Sequence, residues 1–318
     1  MFALAGEGRR GLLTIDESGV AYSMHQDGQR GDGLYWVDFA TGSTRTLEPV
    51  EGWQIVQVQV DKHWIVWVEQ DLMQSDAIEP VAWRIQAVRL PGGEPRILLT
   101  SKHRTVLAPG IVLHGDTLIT SDYRGLDARV WDVASLDLRT GKRHMVLRGV
   151  PPVSAFDGTR LVGAVTKLGD RPGKEQSDLY QLFPGPAKRI SDTGRASGAQ
   201  IADGRLMWLN CPLNRRCTMW VQDWPSGTPR AIYTHGSAGP TLGAGFIADY
   251  GHAGGHYVPV VIPIDNPANR LKLTEQPPGQ VASFYVAAHG HRVAWFTDSE
   301  DENEEGGGKL VVADIAIG

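Results

Sequence analysis

A strand–turn–strand unit recurs seven times along the chain, no stretch carries a sustained helical period, and the two chain ends read as complementary parts of one unit. These three observations predict an all-β fold: a seven-bladed β-propeller of four-stranded antiparallel blades, with the N-terminal segment completing the last blade.

In each unit an alternating apolar run meets a short turn rich in Gly, Asp or His, and a second apolar run follows at once. The turns are Glu17-Ser18-Gly19, Asp61-Lys62, His114-Gly115, Asp157-Gly158, Asp203-Gly204 and His289-Gly290. Asp-Gly between two strand-like runs is a strong hairpin signal, because the turn requires positive φ at its central residues. From Gly19 the turns step by about 42, 54, 42, 46 and 87 residues. The last step is double the others, and Gly243-Ala244-Gly245 supplies the intervening turn.

A polar loop then leads to a third strand, which often ends in Asp-x-x-x-Gly before a short fourth strand. Trp36-Val37-Asp38-Phe39-Ala40-Thr41-Gly42 and Leu136-Asp137-Leu138-Arg139-Thr140-Gly141 show the pattern. Other third strands turn at Pro91-Gly92-Gly93, Pro184-Gly185, Ser226-Gly227 and Asn266-Pro267. Four antiparallel strands in a repeat of about 45 residues make a propeller blade. The expected blades are approximately 11–49, 53–100, 104–148, 151–192, 195–235, 239–275 and 280–318, within one domain, 1–318. The final unit, from Leu310 to Gly318, stops where a fourth strand should begin. Phe2-Ala3-Leu4-Ala5 is expected to fill that place and to leave no open edge. Six blades is the competing count, should 239–275 be irregular.

Segments such as Gly19-Val20-Ala21-Tyr22-Ser23, Leu34-Tyr35-Trp36-Val37-Asp38 and Ala40-Thr41-Gly42-Ser43-Thr44-Arg45-Thr46-Leu47 resemble the blade repeats of TolB-like propellers. The resemblance covers the whole chain as a repeat pattern and implies a propeller without implying a chemistry. The chain departs from TolB in showing seven units and no preceding α/β domain. It also lacks a regular Gly-His…Trp-Asp register, so its likeness to WD-repeat propellers is one of blade pattern only.

The 318 residues are 42% apolar and 21% charged, which suits a large core and not a disordered chain. Acids outnumber bases 36 to 31, for a net charge of -5, and this disfavours a general nucleic-acid binder. No run approaches the roughly 18 apolar residues of a membrane span. Met1 to Arg10 is too short and too charged to read as a secretory signal.

Loops between strands two and three are expected to be long and polar, at about 26–33, 70–81, 122–128, 168–177, 211–217, 250–256 and 297–309. In an up-and-down blade these loops open on one face together with the inter-blade connections, and binding residues concentrate on such loops. The candidate ligand-binding residues there are His25, Trp53, His103, Tyr123, Arg124, Arg195, Arg215, His252 and His256. Gln26, Asp27, Asp122, Arg171, Lys174, Arg216 and His235 accompany them. His252 and His256 stand four apart in a turn with no Cys or Glu at ligand spacing, so neither a metal nor a cofactor is expected. Asp298, Glu300, Asp301, Glu302, Glu304 and Glu305 read as a solvated acidic loop, since their spacing does not match a calcium loop.

Cys211 and Cys217 stand at the two bases of a hairpin loop, where a disulfide is geometrically reasonable and points to an extracytoplasmic, periplasmic or secreted home. Trp36, Trp64, Trp67, Trp83, Trp131, Trp208, Trp220 and Trp295 lie in alternating strands and read as packing between blades. No nucleophile elbow or phosphate loop is present. The leading functional expectation is a monomeric binding propeller that recognises a protein or a polysaccharide through its long-loop face. The alternative is a lyase or hydrolase acting on an acidic glycan with His, Tyr and Arg at the channel mouth. Catalytic residues remain unassigned at this level.

Overall fold

A computed structural model of the chain describes residues 2–3, 9–25, 32–47, 53–71, 82–101, 108–123, 131–167, 176–212, 217–235, 239–253, 256–273, 285–297 and 309–317. These form seven four-stranded antiparallel sheets with no helix among them, a seven-bladed β-propeller. Blade 1 comprises Arg9–Ile15, Gly19–His25, Asp32–Asp38 and Thr44–Leu47. Blade 2 comprises Trp53–Asp61, Trp64–Asp71, Trp83–Arg89 and Arg96–Thr100. Blade 3 is Gly110–His114, Thr117–Tyr123, Trp131–Asp137 and Arg143–Val150, and blade 4 is Val153–Phe156, Leu161–Lys167, Gln176–Phe183 and Lys188–Arg189. Blade 5 is Ala196–Ala202, Arg205–Asn210, Cys217–Asp223 and Arg230–His235. Blade 6 is Thr241–Leu242, Phe246–Ala253, His256–Pro263 and Leu271–Lys272. Blade 7 takes Val286–His289, Arg292–Thr297 and Lys309–Asp314, with Phe2–Ala3 as its outermost strand.

The chain divides into two compact units. The first is Met1–Ala108, Ala238–Pro263 and Ala268–Gly318, and the second is Pro109–Ser237 with Ile264–Pro267. In the first unit, blades 1 and 2 share a core of Ala21, Leu34, Trp36, Leu47, Ile55, Val58, Ile65, Trp67 and Val88. Tyr22, Tyr35 and Val37 of blade 1 pack with Ala294, Phe296 and Leu310 of blade 7. Blade 1, packed by blade 7 on one face and blade 2 on the other, shows how middle strands lose the polar alternation of a one-sided sheet. Trp64 through Glu69 and Trp83 through Val88 are each six consecutive buried residues. In the second unit the same logic joins blade 3 to blade 4 through Ile119, Val133, Val153 and Leu161, and blade 4 to blade 5 through Ala155, Leu179, Ala199 and Trp208. The strand tryptophans serve this packing: Trp36, Trp64, Trp67, Trp83, Trp131, Trp208 and Trp295 are buried, and Trp220 is half-buried against Trp208.

The tight turns follow from local chemistry. Asp203 and Gly204 have φ of 47° and 68°, the double positive φ of a two-residue hairpin turn, and Asp203 is the single non-glycine described residue with positive φ. In the Asp-x-x-x-Gly turns, the carboxylate and carbonyl of the same Asp both serve the turn. Asp38 Oδ1 accepts from Thr41 N at 2.9 Å, and its carbonyl accepts from Gly42 N at 2.8 Å. Asp137 repeats this with Thr140 N at 2.9 Å and Gly141 N at 2.8 Å. Gly42 and Gly141 close these turns at φ of 68° and 71°, where a Cβ is disfavoured.

Blade 6 supplies the seventh sheet and removes the six-blade alternative. Its short outer and inner strands, two residues each, explain its faint sequence signal. The long loop expected at 250–256 is corrected here: strand two continues to Ala253 and strand three resumes at His256, so only 254–255 separate them. In blade 7, Phe2 and Ala3 pair with Leu310 and Lys309, and the Phe2 ring stacks 6.2 Å from Phe39 of blade 1. Arg292 reinforces this junction. It lies 4.9 Å over the Phe39 ring, pairs with Asp314 at 3.0 Å and donates to Glu17 O at 2.8 Å.

Within the second unit, Asp157 binds blade 4 to blade 5. It accepts from Trp224 Nε1 at 2.6 Å, Arg160 N at 2.6 Å and Thr159 N at 2.8 Å. Partial burial pushes its carboxyl up, but these donors outweigh that and hold it well below the usual carboxylate range.

Two outcomes are expected. Phe2→Ala should lower the unfolding free energy by about 2 kcal/mol, read by urea denaturation, because a half-buried aromatic contact is lost. Asp157→Asn should cost about 2 kcal/mol at pH 7. The carboxylate binds fewer protons in the folded chain than in the unfolded one. Its contribution is therefore complete above about pH 4 and fades as the pH falls further, so the gap between the urea midpoints of variant and wild type should narrow toward pH 2 to 3.

Candidate functional site

The loop-bearing end of blade 2 carries a buried charged cluster. Strand two places Trp67 and Glu69 on one face by its two-residue period, and the register sets Glu69 opposite Arg84 and Trp67 opposite Gln86. The four side chains therefore converge. Glu69, with no exposed surface, accepts at Oε1 from Trp67 Nε1 at 2.7 Å and from Gln86 Nε2 at 2.9 Å. Its Oε2 accepts from Arg84 Nε. The Arg84 side chain is 9% exposed, and its guanidinium carbon lies 4.4 Å over the ring of Trp53, which opens the innermost strand.

An ionised pair this deep is tolerated only if its remaining hydrogen-bonding capacity is met. Here it is met on the acid and not on the base. The Nε–Nη2 edge of an arginine ordinarily grips both oxygens of one carboxylate. Trp67 and Gln86 already occupy the second oxygen of Glu69, so Arg84 Nη2 is buried without an acceptor among the described residues. A buried donor left in this state costs about 1–3 kcal/mol.

In the second unit, the corresponding ends of blades 3 and 4 also hold charged groups. Asp122 stands directly opposite Asp132 in the sheet and pairs with Arg143. Burial pushes the Asp122 carboxyl up from the usual range, Arg143 opposes the push, and the facing Asp132 adds to it. Oδ1 of Asp122 and Oδ1 of Asp132 are buried with no hydrogen-bond partner among the described residues. In blade 4, Asp178 accepts from Arg189 Nη2 at 2.7 Å and from Gly194 N at 2.9 Å. The backbone of Arg195 then ties the two blade ends together. It bridges Ser177 of blade 4, and its carbonyl accepts from Cys211 N of blade 5 at 3.0 Å. Cys211 and Cys217 are joined by a disulfide, with Cα atoms 4.1 Å apart.

The opposite, tight-turn ends are chemically different. Asp38 and Asp137 spend their carboxylates on their own turns, and Asp157 divides its between its turn and Trp224 Nε1 of blade 5. Asp16 serves its own turn through Oδ1, which accepts from Ser18 N at 2.8 Å and Gly19 N at 3.0 Å, while its buried Oδ2 has no partner among the described residues.

Of the candidate residues, Trp53 and Arg195 are described with their side chains, and both are half-buried. His25 ends its strand opposite Arg9 and Asp32, and Tyr123 ends its strand opposite Trp131. His235 lies opposite Cys217. His252 is paired with Tyr257 and His256 with Ala253, so the two histidines do not face each other across the hairpin. The side chains of His25, Tyr123, His235, His252 and His256 lie outside the description. His103, Arg124 and Arg215 lie outside the described residues altogether, as do Gln26, Asp27, Arg171, Lys174, Arg216 and the acidic run from Asp298 to Glu305. Among the described residues no group of three or more potential metal ligands occurs. Sequence reading passed over Glu69, Arg84 and Gln86. The available signal was a Glu at the end of a fully apolar run, followed in the next strand by Arg-x-Gln at the same period.

No family model matches the chain, and no curated protein matches it. Solved structures do. The β-propeller domain of the Trilobed protease from Pyrococcus furiosus, described as having an open velcro topology, is similar at a TM-score of 0.71 and 10% identity, over 98% of this chain and 94% of that one. An acylaminoacyl peptidase from Pyrococcus horikoshii is similar at a TM-score of 0.61 and 12% identity, over 92% of this chain and 51% of that one. TolB from Acinetobacter baumannii is similar at a TM-score of 0.56 and 16% identity, over 81% of this chain and 64% of that one. The chain thus spans nearly all of the first structure, about half of the second and just under two thirds of the third. At such identities the likeness is one of fold, and the TolB-like propeller is the fold it shares.

The blade 2 cluster makes a stability prediction. Glu69→Gln should cost about 3 kcal/mol in urea unfolding, since it strands the Arg84 charge. The double variant Glu69→Leu with Arg84→Met should recover most of that loss. Equal losses in single and double variants would show that the pair is not coupled.

Proposed function

We propose that this chain is a non-catalytic binding propeller that engages a polypeptide partner through the loop-bearing ends of its blades. The observation that carries the reading is the contrast between the two ends. At the tight-turn end most aspartates are consumed by local turns. At the loop-bearing end, charged side chains held in place by the sheet have buried polar atoms unmatched among the described residues, namely Nη2 of Arg84 in blade 2 and Oδ1 of Asp122 and of Asp132 in blade 3, against Oδ2 of Asp16 at the tight-turn end. Rigid elements that present such groups beside loops are a binding architecture. The similar propellers that belong to a protease and a peptidase favour a peptide over a polysaccharide as the partner. The Cys211–Cys217 disulfide supports an oxidising, extracytoplasmic compartment, and among the described residues no helix is long and apolar enough to cross a membrane.

The test uses the full chain. A partner recovered by cross-linking should contact residues at the strand two–three loop ends. Trp53→Ala should weaken its binding at least tenfold, whereas Ser43→Ala, at a tight turn, should leave it unchanged. The partner should come off chemically intact. Shortened or unsaturated products from a polyuronate incubated with the chain would replace this reading with the lyase or hydrolase one.

A further inference from the structure

Blade 3 sets two like charges against each other. Asp122 and Asp132 stand directly opposite in the register of strands two and three, one rung inside the terminal pair Tyr123 and Trp131. Residues so opposed hold their Cβ atoms about 5 Å apart on one face of the sheet, and like charges there repel. Oδ1 of each is buried with no hydrogen-bond partner among the described residues. Both atoms are acceptors that lack a donor, and neither group can supply one while both are ionised. A proton on one carboxyl turns it into a donor for the other. The Asp122 side chain is 21% exposed, so water can deliver and remove that proton. The surroundings do not resolve the conflict. Arg143 pairs with Asp122, but its side chain is 38% exposed and the pair is partly screened. Asp132 forms no ion pair among the described residues, although the register sets Arg148 opposite it on strand four. His114 and Asp137 lie at the far end of the blade, both opposite Thr117, and His144 is opposite Ser135, on the other face from Asp132. Val153–Phe156, the blade 4 strand packed on this one, carries no titratable side chain. Burial, reinforced by the facing Asp132 and opposed by Arg143, pushes the Asp122 carboxyl up from its ordinary range.

We propose that Asp122 and Asp132 form a pH-sensitive latch at the loop-bearing end of blade 3: with one proton held between them the two carboxyls join strands two and three, and without it they push those strand ends apart. The terminal rung, Tyr123 with Trp131, lies directly beyond the pair and bears the strain. The latch works on the chain alone and needs no bound partner, so it stands apart from the binding-propeller reading. Its sign follows from linkage. The folded chain holds the Asp122 proton more tightly than the unfolded chain does. Stability is therefore highest at low pH, is lost as the pH rises from the unfolded midpoint to the folded one, and levels off above it.

The experiment is an NMR pH titration of the whole chain, following the carboxyl carbons of Asp122 and Asp132, assigned through their backbone resonances. In the wild type the Asp122 carbon should titrate above the usual carboxylate midpoint of about 4, and the Asp132 carbon should shift in the same step. Asp132→Asn removes the facing charge and supplies an amide donor, so it should lower the Asp122 midpoint by about half a pH unit or more. Hydrogen exchange reads the strand ends. Amide protection at 121–123 and 131–133, corrected for the intrinsic pH dependence of exchange, should fall about fivefold in the wild type as the pH rises through that midpoint, the scale of a cross-strand like-charge pair. Asp122→Asn replaces the proton with an N–H donor and should keep the low-pH protection throughout. Its urea midpoint should also gain on the wild type as the pH rises from about 3 to about 7. A merely structural Asp122 would give the opposite result, since the asparagine gives up the ion pair with Arg143. An Asp122 midpoint within or below the ordinary range, or wild-type protection that does not change with pH, would overturn the proposal. So would an Asp122 midpoint that Asp132→Asn leaves in place, or protection lost equally in Asp122→Asn. The wild-type measurements need no variant, so a folding defect in either substitution leaves the test intact.

Discussion

A sheet covered on both faces has no solvent side on which to place a charge, and most of this structure follows from that constraint. In blade 2 the middle strands bury Trp64–Glu69 and Trp83–Val88 without interruption, and the polar members of these runs, Glu69, Arg84 and Gln86, bond to one another. The polar groups that the chain still carries are driven to the strand ends. There the backbone must turn, and a carboxylate can satisfy the turn's own donors. The tight-turn aspartates meet two needs at once: they fix the reversal and dispose of their charge locally.

The same constraint makes Glu69 informative. It is the one acid inside that buried run, and the chain surrounds it with three donors from two strands. A hydrophobic replacement of such a pair is often neutral or stabilising. The pair also leaves Arg84 Nη2 buried without an acceptor among the described residues, a cost that a hydrophobic pair would not carry.

The fold was legible in the sequence because its signals are local. Asp203-Gly204 announces a two-residue hairpin through the φ values it permits, and Asp38…Gly42 announces a turn through two hydrogen bonds made by one residue. Phe2 was readable as a fourth strand because the final unit lacked one. Blade 6 was nearly lost, since its first and last strands are two residues each, too short for alternation to register. Its central hairpin was misjudged for a related reason. The Gly-rich stretch around Gly254 suggested a long loop, whereas the strands run almost to the turn. The blade 2 site was illegible because it depends on register. Glu69 and Arg84 are 15 residues apart, and only the pairing of two strands brings them together.

The two ends of a blade also differ in what they can become without harm. At the tight-turn end, changing an aspartate removes donors' partners from a turn that the whole hairpin depends on. At the loop-bearing end, the described polar groups are anchored by the sheet from below. Arg189 illustrates the arrangement: it pairs with Asp178 at 2.7 Å and donates to Ser191 O at 2.8 Å, both within the rigid base of the loop. The described polar groups at this end are thus held by strand pairing and ion pairs, whereas those at the tight-turn end are held by the turns themselves.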